Sequence, residues 1–384
     1  MSRPWLRFAI AVISAALCFG TEIEPNPTKK KGAGPLFQIH YGNNWGFMDR
    51  SGKVVIEPQF SEVNDFFDGL AKVVIANKSC FIDETGKVVI PCNFNRAGDF
   101  SEGLAPVLLG HLWGYIDRSG KMMIAPQFQG AAEFRDGMGR IELWDQIQCG
   151  REMYTKDDAP AYAFDMKWHP FDGCFAQHQR FGYVSKNGEL AIKPEYFFAE
   201  DFSEGLAAVA ETQQSKFVFI DKTGTIVIAA QFDRAYSFSE GLAAVETGFR
   251  AEGGKKVAGK FGFIDKSAAF VIPPSFEMAS EFSEGLARVS EDWRSWGFID
   301  HTGRYVIVPS YSQAWDFSDG LAAVYSKGEG GWLHVDKNGK KALTLMGGRW
   351  GFSDGFTVAG EKGKRVYVDK TGKVIAPYEV NPGY

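Results

Sequence analysis

The stretch Phe100-Ser101-Glu102-Gly103-Leu104-Ala105, followed by Trp113-Gly114-Tyr115-Ile116-Asp117, decides the fold because the chain repeats it. With the first aromatic of the second element as origin, copies start at Trp45, Ser79, Trp113, Phe181, Phe217, Phe261, Trp296 and Trp332. A partial copy lies near Arg365. Most steps are about 34–36 residues, within the period of repeat architectures. The step from Trp113 to Phe181 is roughly twice that, and the step from Phe217 to Phe261 is longer by about one loop.

Each copy reads as β structure. Gly-Phe-Ile-Asp and Lys-Val-Val-Ile are short runs of β-branched and aromatic residues bounded by turn formers. Asp49-Arg50-Ser51-Gly52 joins the first two strands of its unit. The Asp can bond backbone two residues on and the Gly tolerates positive φ, which suits a type I turn with a bulge. Pro58, Pro126, Pro194, Pro274, Pro309 and Pro377 then stop the second strand, since proline donates nothing to a ladder. The Gly of Phe-Ser-Glu-Gly opens a third strand, Leu-Ala-x-Val. No segment holds helical apolar spacing through several turns. The expectation is an all-β chain of about eight to nine three-stranded β-meander units.

The unit Trp296-Gly297-Phe298-Ile299-Asp300, Tyr305-Val306-Ile307-Val308-Pro309, Phe317-Ser318-Asp319-Gly320-Leu321-Ala322 resembles the bacterial WG-repeat (KWG-repeat) family. The resemblance runs from about Trp45 to Pro377. Ser79-Cys80 stands in place of Trp-Gly, Ser185 in place of the usual Asp, and Ala268 in place of the turn Gly. The unit at Trp332 loses its Ile-x-Pro segment. The resemblance implies a repeat scaffold often found in exported or surface proteins, and no settled activity.

A single unit cannot bury its own aromatics, whereas stacked units can. Propeller blades usually carry four strands in about 40–50 residues. These units are shorter, which favours an open, curved solenoid, with a closed propeller-like ring as the alternative.

The N-terminus is different. Arg3 and Arg7 precede an apolar run from Phe8 to Leu17 and a small-residue site near Cys18, the pattern of a secretory signal peptide. This gives residues 1–20 as signal, 21–36 as a Pro- and Lys-bearing linker, and 37–141 as repeats one to three. Residues 142–180 form an insertion, 181–378 hold repeats four to nine with the last partial, and 379–384 form a tail. No other run approaches the roughly 18 apolar residues of a membrane span. The formal net charge of −5, with 23% charged residues, offers no basic stripe for nucleic acid.

Four cysteines remain after Cys18 is set aside: Cys80, Cys92, Cys149 and Cys174. An even count in an exported chain suggests bridges, and the local pairing is Cys80–Cys92 with Cys149–Cys174. Cys149, His169, Cys174 and His178 also read as a zinc set, but Cys149 to His169 fits no standard finger. No metal or cofactor is expected.

Two polar features compete for function. One is the acid before each repeat glycine: Asp68, Glu102, Asp136, Glu204, Glu240, Glu284, Asp319 and Asp354. Each is read as accepting hydrogen bonds within its own turn, because architecture places it at every step. The other is the aromatic and acidic content of the insertion. Trp144, Tyr154, Tyr162, Trp168 and Asp165 are the candidate ligand contacts, since rings beside carboxylates suit sugars or a protein's apolar anchor. No Gly-x-Ser-x-Gly and no phosphate-binding glycine loop is present. The expected function is a non-catalytic binding or scaffold protein, periplasmic, cell-surface or extracellular, for a protein or glycan ligand. A secreted glycan-acting enzyme using acids of the insertion and a purely structural envelope component are the alternatives.

Overall fold

The computed structural model describes residues 35–144, 146–149, 152–155, 174–177, 179–252, 255–345, 351–361 and 364–377. Among them there is no helix. Nine small antiparallel sheets follow one another along the chain, and two further small sheets lie inside the period-breaking segments. Blade 3 is representative: Arg96–Ala97, Leu104–Leu109, Leu112–Asp117 and Met122–Phe128, hydrogen-bonded in that order.

The expected three strands per unit are therefore corrected to four in seven of the nine blades. The extra strand lies between the Pro-x-aromatic segment and Phe-Ser-Glu-Gly. In blades 3, 5, 7 and 8 it is only a residue pair such as Arg96–Ala97, completed by a bridge such as Ser101 with Leu104. In those blades it is too short to show the alternation that marks a strand. Tight turns on either side let four strands fit the short period.

The array also closes, which overturns the open solenoid and establishes the ring alternative. Phe37 of blade 1 packs on Phe356 and Tyr367 of blade 9, at 4.6 and 5.8 Å between ring centres. Ile39, Met48, Tyr367 and Ala376 share one core cluster. Tyr367 Oη donates to the Gln38 carbonyl at 2.9 Å, and Arg50 Nη2 donates to the Asp354 carbonyl at 2.8 Å. Every other core cluster among the described residues is likewise shared between neighbours. Leu70, Phe81 and Ile90 of blade 2, for example, pack with Phe100, Val107 and Ile116 of blade 3. A blade's two faces are thus covered by its neighbours, and closure covers the two faces an open array would leave bare.

The repeated letters have local causes. Glu102 and Gly103 both take positive φ, 53° and 87°, in a two-residue hairpin turn whose mirror-image geometry matches strand twist. The glycine of Trp-Gly answers a different need. A Cβ on Gly114 would lie 2.4 Å from the Ile124 carbonyl oxygen and 2.8 Å from the Pro126 nitrogen, because a bulge presses the third strand onto the fourth. Blade 2 solves that contact otherwise. Cys80 stands at the glycine position and Cys92 at the proline position, and the two form a disulfide with Cα atoms 4.2 Å apart. In the Asp-x-x-Gly turn, Asp49 Oδ1 accepts from Ser51 N at 2.8 Å, Ser51 Oγ at 2.6 Å and Lys53 N at 3.1 Å, as its sequence implies.

Candidate functional site

Alternation of strand direction sorts the connections onto two faces of the ring. The Glu-Gly turns and the Asp-x-x-Gly turns share one face. The links between second and third strands, and those from blade to blade, share the other.

On the turn face the repeated carboxylates do not serve their own turns, as the sequence implied. Seven of the eight, Asp68 to Asp319, reach the next blade. Glu102 accepts from Gly137 N at 2.9 Å, Glu204 from Gly241 N at 3.0 Å, and Glu284 from Gly320 N at 2.9 Å. A basic side chain from the next blade's turn closes six of the latches, among them Lys186 on Glu102 at 2.9 Å, Lys266 on Glu204 at 3.1 Å and the His301 imidazole on Glu240 at 3.3 Å. The serine before the acid adds a third tie. Ser101, Ser203, Ser239, Ser283 and Ser318 each donate to the carbonyl of the next blade's phenylalanine at 2.6–2.8 Å. The ladder is an inter-blade fastening.

A second set of acids, which the sequence reading passed over, sits one residue before the motif phenylalanine: Asp65, Asp99, Glu133, Asp201, Glu281 and Asp316. These lie by the first strands, at the hub. Their reach across the ring marks the place: Glu281 of blade 7 feels Glu200 of blade 5 and Arg135 of blade 4, and Asp65 of blade 2 feels Asp354 of blade 9. Burial pushes the carboxyls of Asp65, Asp99, Glu200 and Glu281 up from their ordinary range. Neighbours hold several of them. Asn64 Nδ2 donates to both oxygens of Asp99 at 2.9 Å, Arg140 Nε lies 2.7 Å from Asp201, and Arg288 Nε lies 3.0 Å from Asp316. The recurring acid before Phe was the signal for this set. Among the described residues no group of three or more His, Cys, Asp and Glu is placed to hold a metal ion.

The opposite face carries both period-breaking segments. One leaves blade 4 between Met138–Leu143 and Arg180–Ser185, and the other leaves blade 6 between Leu242–Thr247 and Lys260–Ile264. The first contains its own sheet, Gln146–Cys149 between Glu152–Thr155 and Cys174–Gln177. Its register sets Cys149 opposite Cys174, within the usual Cα span of a disulfide. Trp144 is buried, at 5% exposure. Tyr154 lies on the Glu152–Thr155 strand, while Tyr162, Asp165, Trp168, His169 and His178 fall outside the described residues. The same face exposes Trp293, Phe249, Phe198, Leu109 and Tyr41. Trp293 takes φ 63°, where other blades use Gly or Asn, and Asp292 Oδ1 fixes its turn by accepting from Arg294 N and Ser295 N at 2.8 and 2.7 Å.

The family model for the WG-containing repeat matches residues 45–78, 81–110, 113–143, 181–211, 219–248, 261–292 and 296–329, more than half of the chain. The chain belongs to the WG-repeat family. Each matched WG interval straddles two blades: residues 45–78 hold the last two strands of blade 1 and the first two of blade 2. No curated protein matches the sequence. Among solved structures, a eukaryotic initiation factor aligns at 12% identity and TM-score 0.51 over 81% of this chain and 85% of that one. BamB from Moraxella catarrhalis aligns at 8% identity and TM-score 0.37, over 79% and 94% of the two chains. Virginiamycin B lyase from Staphylococcus aureus aligns at 12% and 0.31, over 69% and 90%. At these identities the first likeness shows fold alone, and the other two carry no argument.

Proposed function

We propose that this WG-repeat ring is a non-catalytic binding scaffold, exported from the cell that makes it, with its recognition surface on the insertion face. The carrying observation is that both insertions leave by the same face, which also exposes Trp293, Phe249 and Phe198. Apolar side chains at the connections of a packed support are what a binding face wants. The turn face offers less, because its carboxylates and lysines are engaged in latches. The Cys80–Cys92 bond supports export, since such bonds persist in oxidising compartments. No helix among the described residues is long and apolar enough to cross a membrane.

The test replaces residues 145–178 with a short Gly/Ser linker, which spares buried Trp144 and the strand starting at Arg180. Thermal unfolding is followed alongside binding to envelope glycans and to extracted envelope proteins. The expected result is a folded ring that has lost the parent's binding. A folded deletant that keeps all binding overturns the assignment, as does turnover of a glycan by the parent.

A further inference from the structure

The two insertions leave their blades at equivalent places, and the roots differ in charge. In blade 6 the root acid is Glu246, buried at 4% exposure. Its Oε1 accepts from Gly259 N at 2.8 Å, and its Oε2 lies 3.3 Å from Arg234 Nε. Beside it, Asp233 accepts from Phe249 N at 3.1 Å and pairs with Lys216. Thus a cation, an acid and a second cation surround that root.

In blade 4 the register places Glu142 where Glu246 stands: Glu142 pairs with Gly130 and Phe181 as Glu246 pairs with Arg234 and Phe261. All three charged neighbours are gone. Gly130 replaces Arg234, Gln129 replaces Asp233, and Leu112 replaces Lys216. The Glu142 side chain fills the space Gly130 leaves, its Oε2 lying 2.8 Å from where a Gly130 Cβ would be. Gln129 is buried and its Oε1 has no hydrogen-bond partner. The Gln179 side chain hydrogen-bonds Glu142.

Among the described residues the charged groups facing Glu142 are few. Arg140, two residues back on the same strand, is already held by Asp201 at 2.7 Å. Arg180, opposite Leu143 on the next strand, donates to the Gln179 carbonyl at 2.8 Å and lies over the Phe197 ring. Gln129 and Gly130 on the first strand are neutral. Among the described residues, a carboxylate so placed loses water without gaining a cation of its own.

We propose that Glu142 is a proton-operated pin for the large insertion, holding its root packed when protonated and loosening it when ionised. Burial is the main cause that pushes this carboxyl up to about 7, against a weaker pull from Gln179 and Arg140. The packed state therefore binds one more proton than the loosened state between about pH 4.5 and 7. Docking is strongest at the acid end of that window, weakens through it and is level above it. The inference does not depend on what the insertion binds.

Hydrogen exchange on the full chain tests it. Protection factors at Gln146–Cys149 and Cys174–Gln177 are compared at pH 5.5 and 8, with Leu104–Leu109 of blade 3 as internal control. Linkage gives a fall of up to roughly 25-fold across that interval. In Glu142→Gln the fall should vanish with protection kept high. Gly130→Arg, which restores the blade 6 pairing, should keep protection high at pH 8. Level wild-type protection overturns the proposal, and so does an unchanged pH step in Glu142→Gln.

Discussion

Cysteines 80 and 92 stand where five other blades put the Gly and Pro of their bulge contact, such as Gly46 with Pro58 and Gly297 with Pro309. The perturbation compares two double variants: Cys80→Ser with Cys92→Ser, and Cys80→Gly with Cys92→Pro. The bond spans a sequence separation of 12. Closing so short a loop limits the unfolded chain by about 3 kcal/mol in the entropy account. The Ser/Ser variant forfeits all of it and puts a hydroxyl at position 80, a site of 0% exposure. The Gly/Pro variant forfeits the bond too, but proline restores about 0.5–1 kcal/mol by stiffening the unfolded chain. Gly also returns the close strand approach seen in blades 1, 3, 4, 6 and 7. Urea unfolding, followed by tryptophan fluorescence, should order the oxidised proteins as parent, then Gly/Pro, then Ser/Ser, with about 3 kcal/mol or more between the ends. Reductant should lower the parent more than either variant, because a Cys149–Cys174 bond is common to all three. A Gly/Pro variant no more stable than Ser/Ser would refute the view that disulfide and Gly–Pro contact are interchangeable answers to one packing problem.

Ala268 takes φ 67° at a turn position where its counterparts are glycine, so Ala268→Gly should gain up to about 1 kcal/mol in denaturant unfolding. Gly103→Ala should cost on the order of 1 kcal/mol from φ alone, since nothing lies within 4 Å of its Cβ. Gly114→Ala should cost several-fold more, because backbone stands 2.4 Å away; equal costs for the two would contradict the bulge account. Stability should peak at mildly acidic pH in thermal scans. Asp49, Asp117, Asp221 and Asp265 are held below the usual range, first of all by the hydroxyl two residues on, and their contribution is lost as pH falls below about 3.8. The raised hub carboxyls of Asp65, Asp99, Glu200 and Glu281 act oppositely, easing the fold as pH falls through their raised values. Peptide mapping of the oxidised protein should recover Cys149 linked to Cys174; both thiols alkylating without reductant would count against it.

The strands that carry β-branched and aromatic runs were legible, as were the Asp-x-x-Gly turns, because each is settled within a few residues. The first strand was not. Arg96–Ala97 owes its place to a neighbouring strand, Leu104–Leu109, rather than to its own preference. Closure was hidden because it rests on Phe37 meeting Phe356 and Tyr367, residues far apart in the chain with no local signature. The repeated acids were visible, yet their donors belong to the next blade, as with Glu102 and Gly137. A reading confined to one unit assigns them to the wrong turn. Asp99 and its counterparts before Phe recur as plainly, but their meaning appears only when the ring brings them together at the hub.

The mismatch between sequence interval and blade bears on how such a ring is inherited. The interval from one Trp-Gly to the next and the sheet are out of phase by half a sheet, so duplication of that interval would not copy a whole sheet. A newly copied interval therefore arrives as two half-sheets, neither able to fold by itself. It completes the sheet before it and begins the one after it, so a whole sheet is gained with no seam at the point of insertion. Rings of this design can grow or shrink by one member in a single genetic event, and every joint made by that event falls inside a hydrogen-bonded sheet.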